Sequence, residues 1–367
     1  MSGALVQLVA KGAQDAYLTG RPEVSFFHQA YKRHTNFAQK QVQLTYTGTA
    51  GPSSQLSIKV PNKGDLLGYI WMDMGGLFLS DLVGTATDQP TIFELYIGGQ
   101  LIDRQDAFFM VQFWQKFLVD SSAKGYSLLG GAQNVDGPID NVNGSTWLPL
   151  HFFFCDSCYL PLTALQYHEV EIRVTFGTKN IAFTKQPNFY ANYVVLDTDE
   201  RAMLVDKEID LLIEQVQRIP AISPSKFDLS YFNHPIKCLL WGNPATNKVF
   251  KTENVQIYLN GNELFGSELP DVFFSSVSSY YHSEFASILQ GGQNANQPQK
   301  SGGNLKMYSF ALKANKHQPC GTCNFSRLDS ASLTFTATDP PTNLNMYAVN
   351  FNVLRIKSGM GGLAFSN

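Results

Sequence analysis

Four of the five cysteines come in two pairs, "CDSC" (Cys155 and Cys158) and "CGTC" (Cys320 and Cys323). Thiolates at this spacing bind zinc or exchange disulfides, and two pairs would complete one tetrahedral metal site. His317 extends the second pair to His-x-x-Cys-x-x-Cys, so His317, Cys320 and Cys323 form a candidate three-ligand set. A redox role would need a βαβ setting that the flanking residues do not offer. The fifth thiol, Cys238 in "IKCLLW", reads as a small core residue. Other chemistry is sparse. The seven histidines include no His-x-His and no His-Glu-x-x-His, and His168 in "YHEVEI" reads as a structural polar contact. The acidic "DTDE" lacks EF-hand spacing. "SGMGGLAF" has no following helix or lysine to hold a phosphate and reads as a tight terminal turn. No Gly-x-Ser-x-Gly occurs. Asn143 ("NGS") and Asn324 ("NFS") match the glycosylation sequon and are expected to stay unmodified in a protein made in the cytosol.

The elements that must carry these residues are mostly strands. Of 367 residues, 44% are hydrophobic and only 16% charged, with 27 Phe and 16 Tyr favouring β-structure and 29 Gly and 17 Pro supplying turns. A net charge of −3 argues against a nucleic-acid-binding protein. No apolar run is long enough for a membrane span, the first residues lack signal-peptide character, and the odd cysteine count suits a reducing compartment. Charge is unevenly spread. Residues 1–45 carry Lys11, Arg21, Lys32, Arg33 and Lys40 against Asp15 and Glu23, whereas residues 197–217 carry seven carboxylates against Arg201 and Lys207. These are solvated faces or complementary contact surfaces between subunits.

Period-two alternation is clear in "EVEIRVTF" and "SLTFTAT". Further strands are expected at 55–60, 66–74, 150–155, 305–312 and 346–357. Helices are expected in "FMVQFWQKFL" (109–118), in "RPEVSFFHQAYKRH" (21–34), and after "DTDER", where Asp197 or Thr198 caps and Asp199 and Glu200 suit the first turn. Two landmarks repeat. "YIGGQLI" and "YLNGNEL", both hairpin signals, begin at Tyr96 and Tyr258, 162 residues apart, and the cysteine pairs lie 165 apart. Each cysteine pair also precedes an alternating strand. The chain therefore reads as two copies of one domain with the acidic segment between them. Equivalent loops of neighbouring domains lie tens of ångströms apart, too far for one zinc. The pairs mark a duplication, and no metal or other cofactor is expected.

"LVAKGAQDAYLTGRPEVSFFHQAYKRHTNF", "FFFCDSCYLPLTALQYHEVEI", "LDTDERAMLVDKEIDLLIEQVQ", "YFNHPIKCLLW", "HQPCGTCNFSRLD" and "NFNVLRIKSGMGGLAFSN" span residues 8 to 367. In that order they resemble the major capsid proteins of nucleocytoplasmic large DNA viruses. Residues 266–300 fit the family pattern poorly, and Cys320 stands where a small polar residue is common. The resemblance implies an all-β fold of two consecutive eight-stranded antiparallel jelly rolls, with a few short helices in loops and linker. The expected divisions are an N-terminal arm (1–40), a first roll (41–197), a linker helix (198–206), a second roll (207–357) and a tail (358–367). It also implies a non-enzymatic homotrimer of pseudo-hexagonal outline, built into an icosahedral shell with neighbouring capsomers and with minor capsid and penton proteins. Nucleic acid is not contacted directly, and an internal viral membrane is approached through minor proteins. Such a protein resides in the virion and is made and assembled in the host cytoplasm. Candidate assembly contacts are Phe26, Phe27, Tyr31, Lys32 and Arg33 of the arm, and Asp199 and Glu200 of the linker.

A capsid paralogue or scaffold at a specialised position fits the same residues. From another class, jelly rolls with exposed aromatics also serve as carbohydrate-binding proteins. Twin-roll cupin enzymes would need a His-x-His…Glu…His set, and secreted glycan amidases a signal peptide and clustered carboxylates; the sequence displays neither arrangement.

Overall fold

The computed structural model of the chain describes residues 7–29, 31–75, 77, 79–84, 88–120, 124, 147–156, 158–179, 185–220, 225–242, 252–283, 305–337 and 344–365. Residues 1–36 and Phe37–Asn367 are separate compact units.

In the first unit, one helical turn covers Ala16–Thr19. The helix expected over 21–34 does not form among the described residues. Arg21 takes a positive φ of 51°, and a short amphipathic segment is marginal as a helix unless its apolar face is packed. Phe26, Phe27 and Tyr31 are exposed.

The second unit contains two rolls. The main strands of the first are β1 (Phe37–Leu44), β2 (Gln55–Val60), β3 (Leu66–Asp73), β4 (Ile92–Ile97), β5 (Gln100–Asp106), β6 (Trp147–Pro149), β7 (Val170–Thr175) and β8 (Asn188–Leu196). Those of the second are β9 (Ile209–Pro220), β10 (Lys226–Asp228), β11 (Pro235–Gly242), β12 (Thr252–Leu259), β13 (Asn262–Glu263), β14 (Leu305–Ser309), β15 (Ala331–Ala337) and β16 (Asn345–Lys357), with β17 (Met360–Leu363) after it. Sheet order is β1-β8-β3-β6 facing β2-β7-β4-β5, then β9-β16-β11-β14 facing β10-β15-β12-β13. Adding eight to each label of the first roll reproduces the second. This is jelly-roll topology twice over. Two-residue strands at 46–47, 160–161, 269–270 and 323–324 extend these sheets.

The duplication read from landmarks has a structural cause. Both "YIGGQLI" and "YLNGNEL" form the hairpin between the fourth and fifth strands of a roll. Gly98 and Gly99, and Asn260 and Gly261, hold the two positive φ angles that such a turn needs. Both cysteine pairs lie between the sixth and seventh strands of their rolls.

Alternation explains the inner faces. Val170, Ile172, Val174 and Phe176 are all buried, as are Leu333 and Phe335. The strand expected at 150–155 is instead a loop running into a helical turn, Phe153–Asp156. A strand would turn one of three consecutive phenylalanines outward, and here Phe152, Phe153 and Phe154 are all buried. β1 starts at Phe37 rather than after residue 40, because residues 37–40 continue the β8 ladder from Phe37–Leu196 to Lys40–Tyr193. The linker helix spans Thr198–Asp206, with the Asp197 carboxylate accepting from the Thr198 amide. The end of the chain folds back as β17 through a turn at Ser358 and Gly359.

Candidate functional site: the seam between the rolls

Asp106 ends β5, and its Oδ1 accepts from the Phe109 amide at 2.8 Å, which starts the helix Phe109–Leu118. That helix is wide, of π type, with buried Phe109, Phe113 and Phe117 on the side expected from their four-residue spacing. It packs on the second roll. The rings of Phe108, Phe109 and Phe113 surround Tyr347 of β16 at 6.1, 5.5 and 5.3 Å. The apolar core of the first roll thus continues through the outward face of the second roll's β9-β16-β11-β14 sheet, taking in Cys238, Leu240, Met307, Tyr347 and Val349. The second roll's own interior is a separate cluster around Trp241, Phe227 and Leu333. A seam that is part of a core is an obligate contact.

Polar groups along the seam are paired across it. Asp106 Oδ2 accepts from the Tyr347 hydroxyl at 2.7 Å and meets Arg218 at 3.0 Å. Asp103 accepts from the amides of Arg104 and Val216 and from the Gln105 side chain. Gln215 donates to the Ile102 carbonyl, and Ser283 to that of Phe117. Burial pushes the Asp103 carboxyl up to about 7 despite those donors. Burial also raises Asp106, with Arg218 opposing. Lys116 is driven down to about 7 by burial and by the neighbouring Lys306. Lys306 is itself fully buried and bonded to Asp271. Burial works against the charged form of Glu214, but Lys237 at 2.6 Å and His317 at 3.4 Å reverse it and hold the carboxyl below its usual value. A second tie runs through the chain's end: His168 Nδ1 lies 2.8 Å from the Gly361 carbonyl, and the Tyr167 amide donates to Gly359.

Beside the helix lies a cavity of about 750 Å³ bordered by Trp71, Trp114, Trp147, Glu214, Lys237 and His317. In its lining Glu214 is paired with Lys237 and His317, whereas Gln115 Oε1 and Asn315 Oδ1 are buried without a hydrogen-bond partner.

The residues singled out from the sequence are dispersed. His317 turns to Glu214, whereas Cys320 Sγ engages the Lys313 backbone. Cys323 lies on a two-residue strand against the second core. Among the described residues no three His, Cys, Asp or Glu side chains converge as a metal site. None of the five cysteines, all among the described residues, is disulfide-bonded. His168 is a structural contact, in line with the reading of "YHEVEI". Much of the acidic segment is neutralised within the chain, Asp210 and Glu208 by Arg355, and Glu214 by Lys237. Asp199 is exposed and Glu200 half-buried. Asn324 is exposed and caps a short turn at Ser326; Asn143 lies outside the described residues. Sequence reading missed the seam groups. A signal was present: "DAFF" at 106 and "DVFF" at 271 repeat at the same 165-residue spacing as the cysteine pairs.

Two jelly rolls fused into one body, with paired polar groups along the seam, define a double jelly-roll protein. Residues 25–206 match the family described as major capsid protein N-terminus, and residues 200–362 that described as large eukaryotic DNA virus major capsid protein. The chain belongs to this large DNA virus major capsid protein family. It is 35% identical over 401 residues to the major capsid protein of Pyramimonas orientalis virus and 33% over 441 residues to that of Paramecium bursaria Chlorella virus 1, each match covering 100% of both chains. Among solved structures it superposes on PBCV-1 VP54 with a TM-score of 0.74 at 27% identity, over 94% of this chain and 100% of that one. The Faustovirus major capsid protein shares the fold, with a TM-score of 0.63 at 12% identity over 95% and 94% of the two chains. The chain is a capsid-forming structural protein of the virion. Among the described residues no helix is long and apolar enough to cross a membrane.

Proposed function

We propose that three copies of the chain close into a pseudo-hexagonal capsomer, and that these capsomers tile an icosahedral shell. The observation that carries this reading is the seam. Two similar rolls are held side by side by a shared apolar core, so one chain supplies two of six positions in a fixed relation. Three chains then complete the ring, and closed rotational symmetry needs only one kind of contact between them. Shell growth follows from many weak contacts repeated over the lattice. Neighbouring capsomers, minor capsid proteins and penton proteins are the partners, and an internal membrane is reached through minor proteins. Assembly takes place in the host cytoplasm, and the protein has no catalytic role. Native mass spectrometry at micromolar concentration tests the reading: the expected species is a trimer, and a chain that remains monomeric under all shell-forming conditions contradicts it.

A further inference from the structure

The seam inside the chain is built from two short sequences, and the chain carries each of them twice. The helix side is Asp-x-Phe-Phe: Asp106 to Phe109 in the first roll and Asp271 to Phe274 in the second. Each precedes or enters a wide helix in the connection between the fifth and sixth strands of its roll, Phe109–Leu118 and Phe273–Val277. The sheet side is Asn-x-Tyr-Ala: Asn188 to Ala191 at the start of β8, and Asn345 to Ala348 at the start of β16. Register makes the second pair equivalent. Asn188 pairs with Asp73 at the end of β3, and two residues inward Tyr190 pairs with Trp71. Asn345 pairs with Gly242 at the end of β11, and two residues inward Tyr347 pairs with Leu240.

One helix copy meets one sheet copy within the chain: the 106–118 helix covers Tyr347. That leaves one of each unmatched. The second helix region presents Val272, Tyr280 and Tyr281 at 55, 69 and 64% exposure. Ala107, which holds the position of Val272 in the first copy, is fully buried. Around Tyr190, which stacks on Trp71 at 4.5 Å, the outward face carries Gln39, Gln41, Gln43 and Tyr69, with Asp73 as its charged residue at the end of β3. Both unmatched surfaces are rich in aromatic side chains, as contact surfaces between folded chains are.

We infer that the helix region Val272–Tyr281 of one copy docks on the Tyr190–Trp71 face of a second copy, repeating between chains the seam made within each chain. The inference rests on the trimeric reading above and specifies its contact. The contact is head-to-tail, each chain offering its helix to one neighbour and its sheet to the other, and such contacts generate rings when the rotation closes.

Two measurements test it. Val272→Arg places a charge on an exposed side chain that the folded chain does not use. Sedimentation at micromolar concentration is expected to show wild-type trimers and Val272→Arg monomers with an unchanged far-ultraviolet spectrum. In the second, chains carrying Tyr190→Cys are co-expressed with chains carrying Val272→Cys. Oxidation is expected to give a disulfide-linked pair in the mixture at least tenfold above either variant alone. Trimers of Val272→Arg indistinguishable from wild type, with no cross-link in the mixture, would overturn this seam while leaving the trimer standing. A monomeric wild-type protein would overturn the trimer itself.

Discussion

Asp106 draws a backbone amide, a phenol and a guanidinium from two rolls onto one buried carboxylate. Removing a donor from such a group leaves its desolvation unpaid in hydrogen bonds, so Tyr347→Phe is expected to cost about 1–3 kcal/mol in urea unfolding. Arg218→Met removes the charge that opposes burial and is expected to cost about 3 kcal/mol or more. The seam also makes stability depend on pH. With its carboxyl at about 7, Asp103 keeps in the fold a proton that the unfolded chain has released above about 4. Its contribution therefore favours the fold at low pH and fades as pH rises to 7. Lys116, held at about 7, has released in the fold a proton that the unfolded chain keeps up to about 10. Stability from that group rises between 7 and 10. Together the two groups place a minimum near neutrality, and Asp103→Asn is expected to flatten the falling limb between pH 5 and 7, leaving the part that the raised Asp106 carboxyl contributes. Denaturant midpoints at pH 5, 7 and 9 for both proteins check this. Identical profiles would contradict the role of Asp103.

At the scale of elements, the wide helix and the terminal hairpin hold the rolls together. Phe113 is fully buried among Phe108, Phe117 and Tyr347, and Phe113→Ala is expected to cost about 3–5 kcal/mol. Gly359 has φ of +80°, and a Cβ there would lie 2.6 Å from the Tyr167 ring. Gly359→Ala should therefore lower the melting temperature more than Ala substitution at exposed Ser358, as calorimetry would show. These elements differ in how far the sequence disclosed them. Strands such as Val170–Thr175 were legible because one face is buried and the other wet, which writes alternation into the residues. The segment 150–155 was not, since all its phenylalanines are buried and period vanishes. The arm misled for the opposite reason: "EVSFFHQAY" has helical spacing, but the described residues there lack packed neighbours to sustain a helix. The helix 109–118 was found by its spacing, yet nothing in that spacing disclosed its width or its packing against Tyr347. The cysteines, the most conspicuous chemistry, were informative only as markers of duplication. The seam groups Asp103, Asp106 and Arg218 are far apart in sequence and carry no motif beyond the repeated Asp-x-Phe-Phe.

At the scale of the whole molecule, the unit that begins at Phe37 has two rolls joined by one inner seam, and its outer faces are proposed to make the shell. The arm belongs to this scale. Its Phe26, Phe27 and Tyr31 are exposed aromatic side chains of the kind that mark contacts, and with Lys32 and Arg33 they are proposed as lattice contacts. Residues 1–25 are proposed to reach on to neighbouring capsomers or minor proteins, so deleting them while sparing those side chains is expected to leave trimer melting near normal while shells fail to form in light scattering. Normal shells would remove residues 1–25 from the lattice. The central claim is that three such bricks make one capsomer with six roll-sized lobes. Electron microscopy of the purified protein tests it most directly. Class averages are predicted to show a hexagonal outline with threefold symmetry and six lobes around a centre, and two-lobed monomers or rings of another order would contradict it.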